Sequence, residues 1–401
     1  MSKKYYIYFT NASIPKEDAA SLIHDVNSAN AAANLGYNAA LVCIDRSINA
    51  YNPVKWIFPF NPKKPSLRIL NFYNVSNRLK IVKLPMPWLV DSGKIKFANS
   101  QIVASKYYFP FHILKKAAIV HTMDFLIASE AIKKGVPVIF EREHFENFNY
   151  PANLINNELL QVVITVAENV KQNLIKNGMP PKKIHKLHIG LNSSFLKREL
   201  LQAANWRNRM LKNGKEKLIL YSGGLYKFKG VDLILEVAKK LPDYQFVLAG
   251  AGCHFEEYQN MVKSRNLKNV ELLGYVPHSQ LVGVLQAADI LIHPHLSGKA
   301  STFTSPLKFF EYMASGVPVA TSEILPLKEF KNKKLAINWC KPDCVSSFAQ
   351  CIEQTLKKYP RKEKGYIQNI QFAKQFTWEK RIEKILSFVE PRYRPEKDVG
   401  L

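Results

Sequence analysis

No run of apolar residues approaches the ~20 that a membrane-spanning helix needs, which argues against an integral helical membrane protein. Met1-Ser2-Lys3-Lys4 precedes only Tyr5–Phe9, too short for a signal-peptide core, so that stretch reads as a first strand. Cysteine is scarce: five in 401 residues, an odd number, which argues against a disulfide framework and for a reducing cytoplasm. Cys340 and Cys344 have no neighbouring His or Cys pair to complete a zinc site, and no Asp-x-Asp pair occurs, so no metal is expected. A Gly-x-Gly-x-x-Gly turn is missing from the first strand–helix junction, which removes a nicotinamide cofactor there. Acidic residues are few, 32 against 57 Lys and Arg, for a net charge of +25. The two halves share this excess almost evenly, so no basic tail accounts for it. Such a field favours nucleotides, nucleic acid or an acidic membrane face, or else reflects lysines on every solvated face. No RNA- or DNA-reading motif is present, so nucleic acid is not an expected partner.

What is present is a soluble, globular composition, 47% hydrophobic and 22% charged, long enough for two or three domains. Strand-like Tyr5–Phe9, a helix from about Asp18 to Leu35 stopped by Gly36, and strand Ala39–Ile44 make a βαβ opening, the mark of a parallel sheet. From 50 to 117, repeated prolines break the periodicity. Lys94–Lys116 mixes lysine with Phe, Tyr and Ile, either a membrane-surface face or an ordinary helix and loop packed on the sheet. Ala118–His121 reads as a buried strand ending in His121-Thr122-Met123-Asp124. Ligands of open α/β sheets gather at such strand ends, which makes His121 and Asp124 alternative catalytic candidates. Strand Val136–Phe140 closes on Glu141-Arg142-Glu143-His144, charges too costly to bury unpaired and so expected to face a cleft or solvent.

The second half repeats the strand–turn–helix logic with more chemistry in the turns. Strand Lys217–Tyr221 runs into Ser222-Gly223-Gly224-Leu225-Tyr226-Lys227-Phe228-Lys229-Gly230 and then a helix. Glycines there permit close backbone approach and lysines supply point charge, an arrangement suited to phosphate. Strand Phe246–Ala249 ends in Gly250-Ala251-Gly252; strand Asp289–His293 ends in Pro294-His295, where His293 and His295 either meet a ligand or complete the turn. The stretch Ser297–Glu323 concentrates the signal. A helix with apolar spacing (Leu307, Phe310, Tyr312, Met313, Ala314) is entered through Ser305-Pro306 and stopped at Gly316, before the buried strand Val317–Ala320. Unpaired amides near Thr302, Thr304 and Ser305 at the positive end of this helix suit a diphosphate. Glu311, a turn and a half inside, is a carboxylate placed to accept hydrogen bonds from vicinal hydroxyls.

Ser-Pro-Leu-Lys-Phe-Phe-Glu-Tyr-Met-Ala-Ser-Gly-Val-Pro-Val-Ala-Thr-Ser-Glu resembles the donor-site signature of glycosyltransferase family 4, retaining enzymes of the GT-B fold. The resemblance is to the subset with Ser-Pro-x-Lys-x-x-Glu-Tyr-Met. Phe303 stands where the common pattern has a first glutamate, so Glu311 alone carries over, as the ribose-binding carboxylate. It implies an α/β protein with two Rossmann-like domains facing each other across a cleft: residues 1–200 for the acceptor, 201–376 for the nucleotide-sugar, and 377–401 returning to the first domain. The implied donor contacts are Lys229, Gly223, Gly224 (an Arg in most relatives) and Gly252, with Lys227 or Lys308 in place of that Arg; Thr304, Ser305 and His295 are donor candidates from the residue readings above. Tyr275 and Val276 fall where relatives hold the nucleotide base. Glu141 and His144 match a Glu-x-x-His on the acceptor side. The expected partners are a nucleotide-diphosphate-sugar, as co-substrate with no cofactor, and a carbohydrate or lipid-linked acceptor, with attachment to the inner face of the membrane. A nucleotide-sugar epimerase of the same architecture and a non-catalytic basic scaffold are the alternatives.

Overall fold

The structure is a computed structural model, and it describes residues 4–16, 20–86, 90–91, 99–298 and 307–398. The chain divides into two compact units, residues 1–190 with 378–401, and residues 191–377.

The first unit is built on seven parallel strands, β1 (Tyr5–Phe9), β2 (Ala39–Asp45), β3 (Lys80–Pro85), β4 (Ala117–Thr122), β5 (Val138–Arg142), β6 (Leu160–Thr165) and β7 (Ile184–Lys186). They lie in the order β3-β2-β1-β4-β5-β6-β7. Four of the five β1 residues and all seven of β2 are buried, because helices cover both faces of a parallel sheet and leave no solvent side for polar residues. The helix Ala20–Asn34 links them and ends where Gly36 takes a φ of 89°. Strand β3 is not legible in the proline-broken stretch: it is an edge strand, its Lys83 is exposed, and its pairing is finished by a two-way backbone bridge from Ile81 to Lys63. The Lys94–Lys116 stretch is described from Asn99 on, as a short helix Ser100–Val103 running into a π-helical segment, Ala104–Ile113, around Pro110. Residues 92–98 lie outside the described residues.

The closing helix Trp378–Phe388 belongs to this first unit. Trp378, Ile382, Ile385 and Leu386 enter its core beside the helix Ala20–Asn34. Gly190 is required beneath it, since a Cβ there would stand 2.4 Å from the Trp378 ring.

The second unit carries six parallel strands, β8 (Leu218–Ser222), β9 (Gln245–Ala249), β10 (Val270–Gly274), β11 (Ile290–His293), β12 (Val319–Ser322) and β13 (Ile337–Cys340). Their order is β10-β9-β8-β11-β12-β13, with apolar clusters on both faces. The order reverses between β8 and β11, and in such sheets ligands collect at the carboxyl ends of the strands flanking the reversal.

Candidate active site

At the β8/β11 reversal three segments meet. The helix Leu307–Ser315 is held in register by Tyr312, whose hydroxyl donates to the carbonyl of Ser222 (3.0 Å) and accepts from its amide (2.7 Å). That anchors the helix to the last residue of β8, immediately before the glycine turn. The turn is fixed from the other side: Gly223 N–H donates to Ala249 and Leu225 N–H to Ala251, both at 3.0 Å. Gly250 lies so close that a Cβ would sit 1.8 Å from the Gly223 carbonyl oxygen, and a Cβ on Gly252 would sit 3.2 Å from Leu225 N. These glycines therefore serve loop-on-loop packing, and the Gly223 amide expected to cradle phosphate is already engaged by the sheet. Gly230, at φ 77°, opens the helix Val231–Lys240 against the backbone after β11; a Cβ there would stand 1.9 Å from the Pro294 oxygen.

This packing presses Lys229 into a half-buried position beside Lys308, Glu311 and His295. Lys308 donates to Glu311 at 2.7 Å, and Glu311 is 2% exposed. Desolvation, reinforced by the charge of Lys308 and opposed by that of Glu311, brings the Lys229 ammonium down to about 8. The ammonium also lies 5.5 Å and 5.9 Å from the centroids of the Tyr226 and Phe228 rings, which stack on each other. His293 and His295 stack at 4.6 Å; burial and the neighbouring Lys229 hold His295 at about 4, so it is a neutral imidazole at physiological pH. The His295 Nδ1 is buried with no hydrogen-bond partner among the described residues, so its hydrogen-bonding capacity is unused. His278, at the start of the helix His278–Ala287, feels both Glu311 and Lys308, a neighbour with no local motif to mark it.

Other expectations land elsewhere. Thr302, Thr304 and Ser305 lie outside the described residues. Lys227 does not join Lys229: it is exposed and pairs with Glu257 at 3.1 Å, which leaves Lys308 as the second cation. Tyr275 is 60% exposed, whereas Val276 packs on the apolar core of the second unit.

In the first unit His121 is fully buried one residue before the end of β4. Its Nδ1 pairs with the Tyr6 hydroxyl and its Nε2 with Glu141, each at 2.5 Å, so neither nitrogen can meet a substrate. Glu141 does not face a cleft or solvent, a correction to the charge-cost reading. Arg381 pairs with it through two bonds of 2.8 Å and 2.7 Å, and His24 approaches at 3.3 Å. The cation arrives from 240 positions along the chain, which local sequence cannot reveal. Burial alone would raise Glu141; Arg381, His24 and His121 together hold it well below the usual carboxylate range. His24 also pairs with Glu143, and despite burial Glu143 and Glu141 raise it to about 10. Asp124 caps the helix Phe125–Lys133 by accepting from Leu126 and Ile127 amides. His144 is exposed just past β5. Among the described residues no group of three or more His, Cys, Asp or Glu side chains is arranged to hold a metal ion.

Residues 202–386 match the family model described as Glycosyl transferases group 1. The GPI3 subunit of phosphatidylinositol N-acetylglucosaminyltransferase from Saccharomyces cerevisiae is 24% identical over 237 residues, covering 55% of this chain and 50% of that protein. An uncharacterised glycosyltransferase of Methanocaldococcus jannaschii is 27% identical over 202 residues, 47% of this chain and 55% of its own length. The chain thus spans about half the length of the curated relatives it matches. Among solved structures, a glycosyltransferase from Rickettsia africae superposes with a TM-score of 0.69 at 16% identity, over 99% of this chain and all of that one. Anabaena Alr3699/HepE in complex with UDP and glucose superposes at 0.65 with 12% identity, over 96% and 99%. The fold class is that of these neighbours, GT-B, with two Rossmann-like units.

Proposed function

We propose that the chain is a retaining glycosyltransferase that moves a sugar from a nucleotide-diphosphate-sugar to an acceptor hydroxyl, in cell-surface polysaccharide or glycolipid synthesis at the inner face of the membrane. One observation carries the reading: a desolvated lysine, a second lysine and a buried carboxylate converge where the strand order of the second unit reverses. The charge of Lys308 disfavours that of Lys229 even with Glu311 paired to Lys308, and an anion bound near both lysines relieves that repulsion. Lys229 and Lys308 then offset the charge that builds on the departing diphosphate, with the amides near Thr304 and Ser305 completing the set. Glu311, held by Lys308, accepts hydrogen bonds from the donor's vicinal hydroxyls. His295, neutral and with an unpartnered Nδ1, takes a sugar hydroxyl. In the first unit His144 is the acceptor-side candidate and Asp124 the catalytic one.

A panel of nucleotide-sugars tests this. Slow release of free sugar and nucleotide, with retained anomeric configuration, is the expected result. An isomerised donor would instead identify an epimerase, and no donor binding would leave a basic scaffold. Lys229→Ala is expected to lower kcat/KM about a hundredfold, the usual scale for removing one preorganised group that stabilises developing charge. Full turnover in that variant would remove Lys229 from the site.

A further inference from the structure

Although the positive charge is shared evenly between the halves of the chain, it is concentrated within the first. Residues 46–123 contain thirteen Lys and Arg and a single acid, Asp91, a net of +12 in 78 residues of a chain whose total is +25. Asp91 is itself paired with Arg46. The same stretch carries apolar surface that the fold does not use. The helix Pro53–Ile57 buries none of its five residues, and Val54, Ile57 and Phe58 are 58–71% exposed. Phe111, on the π-helical segment, is 62% exposed. The two segments are joined side by side: the Tyr107 hydroxyl donates to the Trp56 carbonyl at 2.9 Å, and the Tyr107 and Phe111 rings lie 6.3 Å apart. Trp56 is turned inward, its Nε1 donating to Ala50 and its ring 6.0 Å from Tyr108, so the short helix is anchored while its remaining apolar residues face out. Lys63 and Lys64 follow on the same strand-tethered segment, exposed. Lys106 is engaged by Glu130 and contributes no free charge.

We propose that Val54, Ile57, Phe58 and Phe111 insert into the headgroup–acyl boundary of an anionic bilayer, while Lys63 and Lys64 rest on its phosphates. Aliphatic and aromatic residues held out in water are unfavourable unless something covers them, and scattered single exposures would not put four apolar side chains on two abutting segments. The +12 balance selects a negatively charged cover, and the apolar tips select one with a hydrocarbon layer beneath the charge. Nucleic acid satisfies the charge but offers nothing for Val54 and Ile57. The surface belongs to the first unit, whereas Lys229 and Glu311 belong to the second. It rests on the membrane-face part of the proposed function and deepens it; lipid binding needs no donor and no turnover, so its failure leaves the transferase test untouched.

The intact protein is sedimented with phosphatidylcholine vesicles, with and without phosphatidylglycerol, and no nucleotide-sugar. Binding confined to the phosphatidylglycerol vesicles and weakened by salt is expected. Ile57→Ser and Phe58→Ser each lower the partition coefficient about tenfold. Lys63→Glu and Lys64→Glu each lower it at least fivefold. All four positions are exposed, so melting temperatures stay at the parent value and the loss reads on binding alone. Absence of binding to anionic vesicles, or binding untouched by Phe58→Ser, overturns the proposal. So does a single-stranded oligonucleotide that binds the Phe58→Ser protein as tightly as the parent and displaces vesicles, which would mark a nucleic-acid surface.

Discussion

Lys229 gives the sharpest residue-scale expectation. Its ammonium sits at about 8 because burial and Lys308 disfavour the charge. Below that value it is protonated and attracts a diphosphate; above it the attraction fades. The affinity for a nucleoside diphosphate, read by calorimetry, is expected to fall as pH rises from about 7 to 9, a window set by that value. Lys229→Arg, which keeps its charge throughout, is expected to flatten the profile. Gly230 is equally exacting, because its left-handed φ and the Pro294 oxygen leave no place for a methyl group. Gly230→Ala is expected to cost more than about 2 kcal/mol, measured by denaturant unfolding of the second unit. At this scale the site was partly legible. Lys229 stands out through its glycine turn and Glu311 through the helix entered at Ser305-Pro306, while Lys308 is one of two lysines offered in place of the Arg that the resemblance leads one to expect. His121 and Glu141 look similar in sequence, yet their partners Tyr6 and Arg381 are distant along the chain, so burial could not be read locally.

The closing helix Trp378–Phe388 shows what one element contributes. It brings Arg381 to the buried Glu141, and the pair is bidentate. Removing one partner strands the other charge in a dry environment, so Arg381→Met is expected to destabilise the first unit by about 3–5 kcal/mol. Replacing both, Arg381→Met with Glu141→Leu, recovers much of that loss. His24 adds a pH signature. Its folded value of about 10 exceeds the ordinary 6.5, so the native state holds the proton more tightly and stability falls as pH rises from about 6.5 to 10. Exchanging His24 for Gln is expected to flatten that part of the melting-temperature profile relative to the parent. The long, strongly periodic elements were legible to within a few residues: helix Leu307–Ser315 and its Gly316 stop, strands β8 and β9, and helix Ala20–Asn34. Edge strand β3 and three-residue β7 were not, since lysines and prolines mask an apolar pattern that only one neighbour completes.

At the scale of the whole molecule, the first unit is discontinuous in sequence and the second is inserted within it. Leu191 and Thr377, the two ends of the insertion, bridge each other, and Leu191 N–H donates to Phe376 at 2.8 Å. Calorimetry of a protein shortened after Thr377 is expected to keep the transition of residues 191–377 and lose or broaden that of the first unit, which would lack Trp378, Ile382, Ile385 and Leu386. The order of synthesis sharpens the point. Arg381 is added after every residue of the inserted unit, so a nascent chain carries Glu141 without its guanidinium while residues 191–377 emerge. The buried carboxylate thus waits uncompensated through the synthesis of a whole inserted unit, and chaperone demand is expected to be highest in that interval.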